Sequence, residues 1–556
     1  MPLEYQLDGE VGFLGLNSRD NPATLPKGYV SKSVNFRLDR GVATTRKGLK
    51  KFSEPAIYGP DKTIVGSGSY LNESGQEIFI LLVNDTSVTP NVTRLYRFNP
   101  ETGIFTSPLV LPQPITSSEG VEIVQAIDKV FISRGHEERV LMWNMVNNPT
   151  ALVANDEFPK AAGLMYYQNR LIALGKHKDA DDVARKRDTV CVSHFLQYNK
   201  WSSSDAFTIN QGGNDEVVAV VPWTMNEFLV LCRNSTFYLN VGSSKYVAGN
   251  SLSADARLES LSVDIGCSAK KTAVQVGPGV MFLSDNGVYM LQHVSSGQPD
   301  GVKLLTLSDP ISAPIDDVIQ RINRDHAHKS VAAYWNNRYY LAVPLDTSTK
   351  NNAVLVFNFI LKAWESVDIY DVNQNIFSFL VGKRQRQRRL FTIDEREGVL
   401  LNEELTSDEY GAASGSPILN TTPTTGPYAG LTGAYLDDTF VLTEFGFSSK
   451  PVVGELLTRR FTAGEGKDKR FSSVETDMLL PAGGIVSTFA VANNPDTETM
   501  VDQFVWLSAE DATRKNPIRK IAYGLQIKFI TSNLQPTIRS NFVKFTMNSK
   551  NNRNSQ

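Results

Sequence analysis

The side chains best suited to chemistry are few and scattered. The six histidines are His136, His177, His194, His293, His326 and His328. His326 and His328 lie two apart, where a strand would turn both rings to one face and offer two nitrogens to a metal. No third ligand is signalled beside them, and ordinary surface histidines are the better explanation of the pair. The adjacent carboxylates Asp181-Asp182 and Asp316-Asp317 have the right type for acid–base work. A charged loop and the first turn of a helix account for them without it. Ser284-Asp285-Asn286-Gly287 is close to a sialidase-type turn box, but the rest of that box is missing and an ordinary hairpin turn suffices. Phosphate-cradling loops, nucleophile elbows and zinc-binding helix motifs are not present in the sequence. The reading is therefore non-enzymatic, with no catalytic, cofactor-binding or metal-ligating residue assigned.

The strongest charged feature is Lys383-Arg384-Gln385-Arg386-Gln387-Arg388-Arg389, five cations within seven residues. If one strand runs through it, Arg384, Arg386 and Arg388 share a face. A solvated hairpin tip is one reading. A docking stripe of Lys383, Arg384, Arg386, Arg388 and Arg389 for an acidic patch on a neighbouring subunit is the other. DNA contact is the least attractive, because phosphate contacts hold DNA through counterion release.

The chain has 556 residues, more than one hydrophobic core usually serves. Its 56 basic and 59 acidic side chains nearly cancel, which argues against a dedicated nucleic-acid binder. Cys191, Cys232 and Cys267 are too widely spaced for a zinc site or disulfide framework, and are expected as reduced, buried thiols. Residues 1–10 are polar and unlike a signal peptide. The longest apolar runs, such as 78–83, are too short to span a bilayer, so no membrane anchor is expected.

The elements that would position these residues are read best between 310 and 368. Ile311, Ile315, Val318, Ile319 and Ile322 repeat at helical spacing, with Ser312 as a possible cap and Pro314 in the first turn. Residues 328–335 then read as a strand, Asn336-Asn337 as a tight turn, and 338–344 as the returning strand. A second hairpin follows at 353–359 and 363–368. Such a meander is one blade of a β-propeller. Its aromatic pair Phe357 and Trp364, seven apart, recurs as Phe98 and Phe105. Phe195 and Trp201 are one residue closer, and Trp143 stands without a partner. The repeat is irregular, at roughly 45–60 residues. A plain antiparallel sandwich is the competing reading.

The expected fold is all-β and mainly antiparallel, with few helices. A turn-rich segment, 1–60, packs on other domains. A β-propeller of about six to eight blades covers 61–404. A Gly/Ser/Thr/Pro-rich projecting loop or linker follows at 405–440, and a β-sandwich-like domain at 441–556. Residues 176–188 read as an exposed, mobile loop.

Three stretches carry a family resemblance. The first is Gly15-Leu16-Asn17-Ser18-Arg19-Asp20-Asn21-Pro22, Leu25-Pro26-Lys27-Gly28-Tyr29, Asn35-Phe36-Arg37-Leu38-Asp39-Arg40-Gly41-Val42-Ala43 and Arg46-Lys47-Gly48. The second runs from Asp309-Pro310-Ile311 to Arg321-Ile322-Asn323 and through Val331-Ala332-Ala333-Tyr334-Trp335-Asn336-Asn337-Arg338-Tyr339-Tyr340-Leu341-Ala342-Val343-Pro344. It continues in Asn352-Ala353-Val354-Leu355-Val356-Phe357-Asn358 and Trp364-Glu365. The third is Arg459-Arg460-Phe461 with Lys469-Arg470-Phe471. As a package they resemble tail nozzle proteins of short-tailed bacteriophages, also described as tail tubular, stabilisation or hub proteins. The resemblance implies a homohexameric ring below a portal and its adaptor protein, in a virion tail assembled in the host cytoplasm. It also implies docking sites for fibres, tailspikes or a needle protein, and a channel through which double-stranded DNA passes without sequence-specific binding. It further implies that both chain ends meet beside the propeller. A propeller hydrolase or a non-catalytic receptor-binding protein acting on host surface glycan is the alternative.

Overall fold

In the computed structural model, residues 5–547 are described except for 53–56, 58–59, 118, 153–157, 176–186, 211–214, 225–226, 242–255, 278, 296–302, 371–374, 396–398, 405–435, 444–445, 464–467, 481–484, 493–497, 506–509 and 533–535. Blade six shows how the repeat is made. Val331–Trp335 reverses through Asn336-Asn337, whose φ values of 48° and 58° match the right-handed twist of a two-residue hairpin. Arg338–Val343, Ala353–Asn358 and Ala363–Asp368 complete the meander. The same left-handed pair recurs as Ile127-Asp128, Gln168-Asn169 and Gln385-Arg386 in three other blades.

Seven such four-stranded sheets span 62–110, 123–151, 163–208, 217–262, 274–307, 331–368 and 376–404. Their first strands neighbour one another in a closed circle, the seventh touching the first. This is a seven-bladed propeller, within the expected range of blades. Blade seven takes its outermost strand from the other side of the chain: Leu49–Phe52 pairs antiparallel with Val399–Glu404. The ring is thus closed by backbone hydrogen bonds between the start and end of the propeller, which also covers an edge.

The aromatic signature has a direct meaning. Phe98 lies opposite Phe105, with ring centres 4.7 Å apart, and Phe357 opposite Trp364 at 5.3 Å. Trp143 finds its partner in the preceding blade, edge-on to Tyr70. Phe195 and Trp201 do not make the equivalent pair: Trp201 lies opposite Ser193 and meets Phe158.

The helix read at 311–322 is shorter than its apolar stripe. A 3₁₀ turn, Ala313–Ile315, leads into an α-helix of five residues, Asp316–Gln320. Ile315, Val318, Ile319 and Ile322 are buried as the stripe requires. The helix stops because Asn323 donates its N–H to Pro344 O and draws the chain onto blade six. Ser312 does not cap it; its buried hydroxyl accepts the Val288 N–H at 3.0 Å.

The remaining strands form two six-stranded sheets and one separate pair, Leu436–Thr443 with Gly446–Pro451. One joins Gln6–Glu10, Phe36–Asp39 and Val42–Thr45 to Lys469–Leu480, Glu510–Ala522 and Thr537–Met547. The other joins Gly15–Leu16 and Tyr29–Val34 to Gly454–Thr458, Ile485–Val491, Glu498–Val505 and Gln526–Ser532. Each sheet therefore mixes the two chain ends, and the β unit expected from 441 onward, whose sheet strands run from Gly454 to Met547, is completed by the first 45 residues. Its core (Phe13, Phe36, Leu456, Phe529) is continuous with Tyr339, Leu341 and Trp364 of blade six. The loops expected at 176–188 and 405–440 lie, up to 186 and 435, outside the described residues; residues 436–440 belong to the strand Leu436–Thr443, so the expected loop does not reach 440.

Candidate functional site

Two places gather polar side chains: the propeller channel, and the joint between propeller and sandwich. The first strands of six blades, with Glu122 just before the first strand of blade two, line a cavity of about 440 Å³. A 3₁₀ turn before blade five, Lys270–Thr272, sets two lysines into it. Lys270 reaches across to blades two and three, donating to Ala162 O at 2.5 Å and pairing with Glu122 at 3.1 Å. Lys271 heads the other way, its ammonium 4.8 Å from the Phe377 ring of blade seven. The turn thus spans the channel. Beyond it lies a basin of about 320 Å³, shared by Lys271, His328, Lys329, Lys350, Glu119 and Glu395. Burial, reinforced by Lys270, pushes the Lys271 ammonium down to about 8. The side chain is half-buried, and that burial is the larger cause of the shift.

His326 and His328 sit on the 3₁₀ turn Arg324–Lys329 rather than on one strand face, with ring centres 6.3 Å apart. Burial, then Lys329 and His326, hold His328 below the usual histidine range. No group of three metal-ligating side chains occurs among the described residues. Asp316 and Asp317 open the short helix, where Asp317 accepts the Ser18 hydroxyl at 2.6 Å and Asp316 the Gln320 amide. Asp181 and Asp182 lie outside the described residues. Asp285 of the sialidase-like turn ties blades four and five, pairing with Arg233 at 2.9 Å and accepting the Ser268 hydroxyl. Cys191, Cys232 and Cys267 are unpaired and buried. Burial pushes their thiols up to about 12, 12 and 11, far from a nucleophilic thiolate.

The basic run does not form one face. Ile376–Arg384 ends at the turn Gln385-Arg386, where φ values of 47° and 67° reverse the chain into Gln387–Glu395. Lys383 then faces Arg388, and Arg384 faces Gln387. Arg384 is buried, donates to Pro100 O at 3.0 Å and lies 4.9 Å over the Phe52 ring. Arg389 is buried and donates to Gln385 Oε1. Only Lys383, Arg386 and Arg388 are exposed. The proposed stripe of Arg384, Arg386 and Arg388 is therefore split by the hairpin.

The joint is denser. Arg37 grips the fully buried Asp368 with two bonds, at 3.0 and 2.6 Å, and Ser366 adds a third. Asn35 donates to Ile369 O and Val453 O, bridging blade six and the sandwich. Arg338 grips buried Glu365 at 2.7 and 3.1 Å; Asn358 donates to that carboxylate and to Leu38 O. Ser18 N–H bonds Pro314 O. On the far side, Arg459 binds Asp8 at 2.6 Å and also Glu10, whose acidity burial weakens against the pull of Arg459. Sequence reasoning did not single out these pairs. Their one local trace is the pair of acids in the otherwise strand-like Ala363–Asp368.

The fold thus defines a seven-bladed propeller fused to a two-sheet unit woven from both chain ends. No family model matches the chain, and neither does any curated protein. Solved structures of similar shape include BBS1N in complex with ARL6DN, at 10% identity, covering 65% of this chain and 98% of that one, with a TM-score of 0.38. The AfRom2 CNH domain matches at 6% identity over 65% and 99%, TM-score 0.37. The β-propeller domain of the Trilobed protease from Pyrococcus furiosus matches at 8% identity over 63% and 95%, TM-score 0.31.

Proposed function

We propose that the chain is a structural subunit of the tail nozzle of a short-tailed bacteriophage. Identical copies form a ring below the portal and its adaptor, continue the channel for double-stranded DNA, and carry fibres or spikes. One observation supports this reading above the others. The three stretches that resemble nozzle proteins lie far apart in sequence, yet they meet in the fold: Ser18 N–H of the first bonds Pro314 O of the second, Asn358 of the second donates to Leu38 O of the first, Arg460 N–H of the third bonds Pro22 O of the first, and Phe36, Tyr339 and Phe461 share one core. A ring subunit transmits force between its neighbours and whatever docks on it. The buried bidentate pair Arg37–Asp368, which crosses the two domains, suits that task, because it fixes orientation where a bare apolar contact could slide. A propeller offers free loops on a closed scaffold.

The test is electron microscopy of the purified protein, alone and mixed with an adaptor protein. Six-fold rings with a central hole wide enough for duplex DNA are expected in at least one of the two samples, as a closed heterologous interface requires. Monomers or trimers in both would sink the proposal. Release of reducing sugar from bacterial surface polysaccharide would favour the hydrolase instead.

A further inference from the structure

We propose that the basin at the mouth of the propeller channel binds a small anion bearing a phosphate or carboxylate group, with Lys271 as its principal contact. The inference is independent of the nozzle reading. It begins with a charge count on the walls. Lys270, Lys271, Lys329, Lys350 and His328 converge there, from blades five and six and the turn before blade six. The acids that face them are already engaged. Glu122 accepts the Leu164 N–H and pairs with Lys270. Glu119 pairs with His136 and with Arg187. Glu395 accepts the Ile64 N–H and an Asn375 amide hydrogen while Lys350 attracts it.

Lys271 is left over. Among the described residues no carboxylate lies within ion-pair distance of it; Glu122, already paired with Lys270, attracts it only from farther off, and its ammonium faces the Phe377 ring. A half-buried ammonium so weakly compensated is costly, and an incoming anion offsets that cost. Two groups sense the same field. The charges acting on His328 are Lys329, His326 and Arg233, with no acid among them, and on Lys271 the repulsion of Lys270 outweighs the attraction of Glu122. The space is adequate: about 320 Å³ is at the small end of ligand pockets. Below the lysine turn the channel wall is largely apolar, with Met165, Val220, Leu380 and Phe379. The anionic head therefore belongs on the basin side, with Lys271 beneath it and Lys350 and Lys329 at the rim.

The experiment uses the full-length protein with inorganic phosphate and citrate as separate probes. Lysines are reductively methylated with ¹³C-formaldehyde, and the Lys271 resonance is assigned by its loss in Lys271→Met. Its titration midpoint is expected to rise by about one pH unit at saturating probe, because an adjacent anion favours the ammonium. Calorimetry should show binding at pH 7 weakened at least tenfold in Lys271→Met and in the rim variant Lys350→Met, and unchanged in the remote Lys27→Met. A response to phosphate alone, or to citrate alone, identifies which head group the site takes and supports the proposal. An unmoved midpoint with both probes overturns it, as does binding that survives in Lys271→Met and Lys350→Met alike.

Discussion

Arg37 and Asp368 set the terms at the scale of single residues. Asp368 is fully enclosed and its charge is met by Arg37 and Ser366. Removing one partner of such a pair strands the other in a low dielectric, at about 3–5 kcal/mol. Arg37→Ala should therefore lower stability by that amount in guanidinium unfolding, while replacing exposed Lys27 should change it little. A loss under 1 kcal/mol would show that the pair is not buried in solution. Lys271 gives the opposite sign. Folding lowers its proton affinity from 10.5 to about 8, so between those values the unfolded chain holds more protons and stability rises with pH. Lys271→Met should abolish that gain and stabilise the protein at pH 7, with a ceiling of ~3 kcal/mol for a difference of 10.5 − 8. Comparing wild type and variant at pH 7, 8.5 and 9.5 isolates this group from the thiols and phenols that titrate nearby. Neither site was legible in the sequence. Lys270-Lys271 is an unremarkable dipeptide until seven distant blades close around it, and Arg37 meets Asp368 only because two domains do.

Elements were more legible where local chemistry agrees with the fold. Asn336-Asn337 announces its turn because asparagine tolerates positive φ, and both residues adopt it. Gln385-Arg386 adopts the same geometry without that signature, so the basic run fitted both a hairpin tip and a continuous strand. The aromatic pairs at 98/105 and 357/364 were legible because a hairpin brings opposite residues together at fixed spacing. The helix was over-extended because the apolar stripe continues into 3₁₀ turns whose exits are set by Pro344 and Val288. Two predictions belong here. Arg386 has φ 67° and is exposed, so Arg386→Gly should stabilise by about 0.5–1 kcal/mol in the same unfolding assay. The combined Lys383→Gln, Arg386→Gln and Arg388→Gln variant leaves the buried Arg384 and Arg389 in place. It should fold with an unchanged melting temperature and lose attachment of fibres or neighbouring subunits in a reconstitution assay. Undiminished attachment would leave these cations as a solvated hairpin tip.

At the scale of the molecule, the chain order hides the architecture. Propeller strands follow one another and declare themselves, but the two ends must be read together, and no local pattern tells Val30 that it will lie opposite Thr458. The first 52 residues serve both units at once. Five of their strands enter the two-sheet unit, and Leu49–Phe52 closes blade seven. Deleting residues 2–52 therefore does more than trim a terminus. It leaves Val399–Glu404 as an open edge on the seventh blade, beside the first blade's Lys62–Leu71. It also strips Phe13, Phe36 and Leu38 from a core that continues into blade six. An unpaired edge next to an exposed apolar face is a template for association. The truncated chain should elute as soluble aggregate in size-exclusion chromatography and lose the cooperative unfolding of the intact protein. A well-behaved monomer with the original melting temperature would mean that propeller and sandwich close without the N-terminal strands. The joint would then be an attachment between two self-sufficient domains, when the shared core and the crossed strands make them one folding unit.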